Sequence, residues 1–256
     1  MQKNLIRVPV LILLAIALIS CAGELAEAVQ APADEAASLV ETQNPETAEK
    51  TPDFVSVACD LPLPGPEDWE VVLCETFDNN DYGWEVESQD NEYAKYTSAI
   101  ADGKFSVDYS AKGFAGFQRT ALTWFTIGKE KNFALSVKGL MDDTYNDVSW
   151  GIAFRGNEDN FFLFSIANNG TYTFEIFEND GWIPLITPKS HNGIRLGEEN
   201  TIRIEAGGQD FYFSINDETV NQFSGGLLEG TDILLVVSAK EGVSTTFTFD
   251  DVVLQR

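Results

Sequence analysis

Histidine is almost missing from this chain, and positive charge is scarce. One histidine and 16 lysines and arginines stand against 41 acidic residues in 256, a formal net charge of −25. A single histidine cannot build a histidine-based zinc set. It lies in the turn-like run Pro188-Lys189-Ser190-His191-Asn192-Gly193, and no Gly-x-Ser-x-Gly nucleophile elbow accompanies it. Glycine-rich phosphate loops are absent as well. Affinity for nucleic acid rests on clustered Lys and Arg, so nucleic acid is excluded as a partner. Anionic headgroups are disfavoured for the same reason. No apolar run reaches the roughly 20 residues of a membrane span, and no stretch carries a useful helical period.

What is present begins with Val8–Ile19, nearly unbroken hydrocarbon behind Lys3 and Arg7. That layout predicts a secretory signal over 1–20. Leu18-Ile19-Ser20-Cys21 resembles the bacterial lipobox, whose cysteine is lipidated at its thiol and becomes the new N-terminus. The resemblance implies an exported lipoprotein, held through Cys21 in a bacterial membrane and facing the cell exterior or the periplasm. Residues 21–56 are rich in Ala, Glu, Thr and Pro, lack aromatics before Phe54 and carry Lys50 as their one cation. Such a segment cannot bury enough apolar surface to offset chain entropy. It reads as a disordered acidic tether, averaging roughly 30 Å end to end.

Cys59 and Cys74 bracket Leu61-Pro62-Leu63-Pro64-Gly65-Pro66. In an exported chain this pair predicts a disulfide, which would close a loop worth about 3 kcal/mol on the chain-entropy model. The other reading, a reactive thiol or zinc ligand, needs partners that the sequence does not place nearby.

Residues 57–256 change character. Phe133-Ala134-Leu135-Ser136-Val137, Trp150-Gly151-Ile152-Ala153-Phe154, Tyr172-Thr173-Phe174-Glu175-Ile176, Phe211-Tyr212-Phe213-Ser214-Ile215 and Phe247-Thr248-Phe249 all alternate. Period two with aromatic and β-branched residues marks strands with one buried face. Asp102-Gly103, Asn169-Gly170, Asp180-Gly181, Gly207-Gly208 and Asn216-Asp217 supply turns. A dozen or so strands in one domain predict an all-β fold, a two-sheet antiparallel sandwich or jelly roll.

Ordered signatures narrow this further. Glu75-Thr76-Phe77-Asp78 and Gly83-Trp84 open the domain, and Gly103-Lys104-Phe105 follows. Trp150-Gly151-Ile152-Ala153-Phe154-Arg155, Asn160-Phe161-Phe162-Leu163-Phe164 and Asn169-Gly170-Thr171-Tyr172 form the centre. Asn200-Thr201-Ile202-Arg203-Ile204 leads to Phe211-Tyr212-Phe213-Ser214-Ile215-Asn216-Asp217, and Phe247-Thr248-Phe249-Asp250-Asp251-Val252-Val253-Leu254 closes the domain. Over about 73–256 this order resembles the concanavalin A-like, laminin G-like jelly rolls of bacterial surface proteins. More loosely it resembles the 3-keto-disaccharide hydrolase domain.

Laminarinase-type glycosidases share that jelly roll and use two glutamates on one strand with an aspartate between. Glu175-Ile176-Phe177-Glu178 lacks the aspartate, and its odd spacing puts the two acids on opposite strand faces. No catalytic residue is assigned. The resemblance also implies a structural calcium ion, with Glu75 (Asp78 in reserve), the Gly103 carbonyl and Asp250 as oxygen ligands. The competing reading has Asp250 and Asp251 bonding turn amides. Trp124, Trp150 and Trp182 are candidate sugar platforms, with Arg155, Asn160 and Glu175 to read hydroxyls. Trp150 alternates with Ile152 and Phe154, which argues for burial. These readings together describe a non-enzymatic cell-surface lipoprotein binding an extracellular ligand, carbohydrate first. The alternatives are a glycoside-processing hydrolase on the same scaffold and a protein adhesion or assembly module.

Overall fold

Alternation decides which side of each strand is buried, and the structure, a computed structural model, follows it closely. It describes residues 58–112, 117–126, 132–142, 144–157, 160–179, 181–226, 228 and 230–256; for 117–126 the backbone alone is described. The leader, Cys21 and the tether lie outside the described residues.

The strands are β1 (Val71–Glu75), β2 (Ser88–Asp90), β3 (Ala94–Ala101), β4 (Lys104–Ala111), β5 (Phe117–Thr126), β6 (Asn132–Met141), β7 (Val148–Gly156) and β8 (Phe161–Ala167). They continue as β9 (Thr171–Glu178), β10 (Gly181–Ser190), β11 (Asn200–Gly207), β12 (Asp210–Ile215), β13 (Glu218–Ser224), β14 (Asp232–Lys240) and β15 (Ser244–Gln255). Among the described residues they form two antiparallel sheets. One runs β13-β12-β11-β6-β15-β4-β3-β2, with β1 also paired to β15; the other runs β10-β9-β8-β7-β14-β5.

Aromatic side chains on the facing surfaces close the gap between the layers. Phe164 of the six-stranded sheet stacks on Phe213 of the larger one at 4.4 Å between ring centres. Phe154 meets Phe211 edge-on at 5.4 Å, and Trp150 meets Phe249 at 5.5 Å. Such pairs add about 0.5–1.5 kcal/mol each beyond the area they bury.

The turns are built as their residues dictate. Asp102 and Gly103 have φ of 55° and 69°, and Asn216 and Asp217 have 50° and 65°. Positive φ at both central positions is the two-residue hairpin geometry that matches strand twist. Asn216 does more than turn: its amide nitrogen donates to Gly193 O at 2.7 Å and to Asn200 Oδ1 at 2.9 Å, tying down the loop before β11.

The proline-rich run is held from the far end of the chain. Gln255, fully buried, accepts from Gly65 N at 2.6 Å and donates to Pro66 O and Trp69 O at 3.1 and 3.3 Å. Cys59 and Cys74 are disulfide-bonded beside it. The N-terminal approach is thus fixed both to β1 and to the last strand.

Candidate functional site

The outward face of the six-stranded sheet carries the most chemistry. Cross-strand register arranges it in rows. Ser238 of β14 pairs with Ser149 of β7, and Val236 with Gly151, which pairs in turn with Ser165 of β8. Leu234 pairs with Ala153, Ala153 with Leu163, Leu163 with Glu175 of β9, and Glu175 with Pro184 of β10. The last row is aromatic: Phe161, Phe177 and Trp182.

The two ends of this face differ. At one end the ring of Trp182 lies 5.0 Å from Phe177 and 5.6 Å from Phe161. Trp182 and Phe161 rest on Ala153, Leu163, Leu234 and Val236, an apolar cluster separate from the main core, and each remains partly exposed. At the other end a trough of about 270 Å³ is lined by Ser149, Ser165, Thr173, Glu175 and Ser238, with Pro184 and Pro188 at its rim. Ser165 Oγ and Thr173 Oγ1 bond to each other at 2.9 Å. Ser238 is 3% exposed, and its hydroxyl has no hydrogen-bond partner.

Of the sequence-derived ligand candidates, Glu175 and Trp182 therefore share one face in adjacent rows. Asn160 sits at the β7–β8 turn beside Phe161, its N–H donating to Asn157 Oδ1 at 2.9 Å. Trp124 pairs in register with Leu234, and its side chain lies outside the described residues. Trp150 and Arg155 are corrections. Trp150 follows Ile152 and Phe154 into the core and is 1% exposed, so it has no surface to offer a ligand. Arg155 stands where alternation would turn it outward. A register shift between Asp232 and Leu234 and a φ of 50° at Arg155 turn its guanidinium inward instead, 4.8 Å over the Phe211 ring. Burial pulls its pKa below the ordinary arginine value.

Of the calcium ligands named from the sequence, Asp78 and the Gly103 turn come together, while the Glu75 and Asp250 carboxylates are engaged with other partners. A Cβ at Gly103 would lie 3.7 Å from Asp78 Oδ1 and from Thr76 O, which places the β3–β4 turn against the end of β1. Glu75 turns inward: one carboxylate oxygen accepts from Phe77 N and the other from Trp84 Nε1, both at 2.7 Å. Asp250 accepts from the Asp251 amide at 2.8 Å and faces Lys104 Nζ at 3.2 Å, while Lys138 pairs with Asp251. Burial works against a charged Lys104, but Asp250 and Glu199 outweigh it and raise its pKa. Among the described residues no three His, Cys, Asp or Glu are grouped to hold a metal ion. This donor set does not fit calcium, because Lys104 already faces Asp250 and both Glu75 oxygens are taken by an amide and an indole. Asp250 bonds the next amide of its own strand, where the register of β15 against β6 shifts.

Serines 149, 165 and 238 and the pair Phe161 and Phe177 were not singled out by sequence. Their signal was there: each alternates with an inward aromatic or aliphatic residue, which puts it on the other face of its strand.

No protein-family model matches the chain, and no curated protein matches its sequence. Solved structures do match its fold. A GlcNAcα1-4Gal releasing endo-β-galactosidase from Clostridium perfringens superposes with a TM-score of 0.53 at 10% identity, over 80% of this chain and 66% of its own. A laminarinase from Flavobacterium sp. UMI-01 gives 0.51 at 10% identity, over 73% of this chain and 100% of its own. A glycoside hydrolase family 16 endo-glucanase from Bacteroides ovatus gives 0.50 at 10% identity, over 72% and 100%. In fold, this chain is a concanavalin A-like jelly roll.

Proposed function

We propose that this chain is a non-catalytic module that recognises a glycan on the outward face of its six-stranded sheet, displayed from a bacterial membrane by a lipid on Cys21 and the tether 21–56. The observation that carries the reading is the pairing of a partly exposed aromatic trio around Trp182 with a hydroxyl-lined trough on the same face. Aromatic faces take the apolar side of a sugar ring, and a few placed polar groups fix its orientation. The similar folds named above belong to proteins whose names describe action on glycans, which makes glycans the first ligand class to test.

Hydrolysis has less support. Retaining glycosidases place two carboxyls about 5–5.5 Å apart, and inverting ones about 6.5–9.5 Å apart. Glu175 is the only carboxylate among the described residues lining the trough. Screening the detergent-solubilised full chain on a glycan array, with a reducing-end assay on every bound glycan, tests both parts. Binding without release of new reducing ends is the expected result. Turnover would replace the module with an enzyme, and an array with no signal would remove the glycan reading.

A further inference from the structure

We infer that Ser238 is a ligand-binding residue, reading a hydroxyl of an uncharged oligosaccharide that lies across the strands. The inference deepens the glycan reading and rests on it. Buried hydroxyls nearly always find a partner, yet Ser238 is 3% exposed, lines the trough and has none. The neighbouring hydroxyls of Ser165 and Thr173 have each other. Ser238 therefore keeps both a donor and an acceptor for whatever enters.

Its position sets the shape of that ligand. Ser238 lies on β14 and Glu175 on β9, with β7 and β8 between them. Three strand spacings across the sheet and two side-chain rows along it separate the two by roughly 20 Å. One sugar ring cannot reach both ends, whereas an oligosaccharide running diagonally across the strands can, with Trp182 one row beyond Glu175.

Charge sets the class. Glu175 is the only charged side chain among the described residues lining the trough, and the whole chain carries −25. A sulfated or uronic acid glycan would meet repulsion where it needs an arginine or lysine. A neutral chain meets hydroxyls.

The test uses the full chain, an array of neutral glycans (laminarin, mixed-linkage β-glucan, galactan) beside acidic ones (polygalacturonate, alginate, carrageenan), and calorimetry on the best binder. The expected winner is neutral. Ser238→Ala should then bind about three- to ten-fold more weakly, the loss of one hydrogen bond. Its melting temperature should hold, because no protein partner is lost. Ser238→Thr, which keeps the hydroxyl, should retain binding. Undiminished affinity in Ser238→Ala would overturn the role of Ser238 while leaving the glycan reading intact. Preference for an acidic glycan would overturn the ligand class. Silence across both classes would sink the inference together with the function it deepens.

Discussion

The indole of Trp150 fills the space that a side chain at position 139 would need. A Cβ on Gly139 would lie 2.6 Å from two of its ring carbons. Gly139 is the point in β6 where the larger sheet opens to admit the bulkiest core residue of the smaller one. Trp150 then reaches Phe249 across the gap. Gly139→Ala should cost about 1–3 kcal/mol through overpacking, measured as a shift in the urea midpoint at unchanged slope. Wild-type stability in that variant would mean that the two sheets part more easily than this packing implies.

Glu75 joins the Phe77 amide to the Trp84 indole at the opening of the domain. Phe77 is 1% exposed and has φ of 55°, a conformation costly for a bulky residue. Glu75→Ala strands two buried donors, at about 1–3 kcal/mol each. Calorimetric unfolding should show the loss, and tryptophan fluorescence should report a loosened Trp84.

The corner holding Asp250 predicts indifference to calcium. Asp250→Asn weakens the contact with Lys104, a half-exposed pair worth at most about 1 kcal/mol. Its melting temperature should fall by the same small amount with calcium and with chelator. A drop seen only with calcium would restore a cation to this corner.

Tyr96 donates its hydroxyl to Glu87, and Gln89 Nε2 donates to the same carboxylate at 2.8 Å. The bonds from Gln89 and then Tyr96 hold the Glu87 carboxyl below its ordinary 4.5. Burial first, and the Glu87 bond second, push Tyr96 above its ordinary 10.0. The Glu87 contribution is present above its unfolded value and lost as pH falls through the lower folded one. The Tyr96 contribution is present below its unfolded value and lost as pH rises towards the higher folded one. Tyr96→Phe should shrink the pH dependence of stability at both extremes, by no more than about 1 kcal/mol. Urea titrations at about pH 3, 7 and 11 check this; unchanged slopes at both ends would contradict it.

Much of the fold was legible because a half-buried strand writes its inner face into every second residue. Phe211 and Phe213, or Phe247 and Phe249, could point only one way. The hairpins at Asp102-Gly103 and Asn216-Asp217 were equally plain, since few residues accept positive φ. Arg155 was not legible: a register shift sends it inward, and alternation cannot register a shift that depends on a neighbouring strand. Gln255 was also hidden, because its partners Gly65 and Pro66 are almost the whole domain away in sequence. The trough shows a third kind of limit. Ser149, Ser165 and Ser238 are unremarked serines in three separate strands, and pairing alone brings them to one face.

Everything functional turns on whether the Trp182 face holds a sugar. The direct measurement is calorimetric titration of the full chain and of Trp182→Ala with the strongest ligand found on a glycan array. Loss of a hot-spot aromatic costs about 2 kcal/mol or more, so binding should weaken at least about thirty-fold while the fold stays intact by circular dichroism. Equal affinity in the two proteins would move the ligand off this face, and no glycan bound by either would mean that the face does not serve sugars at all.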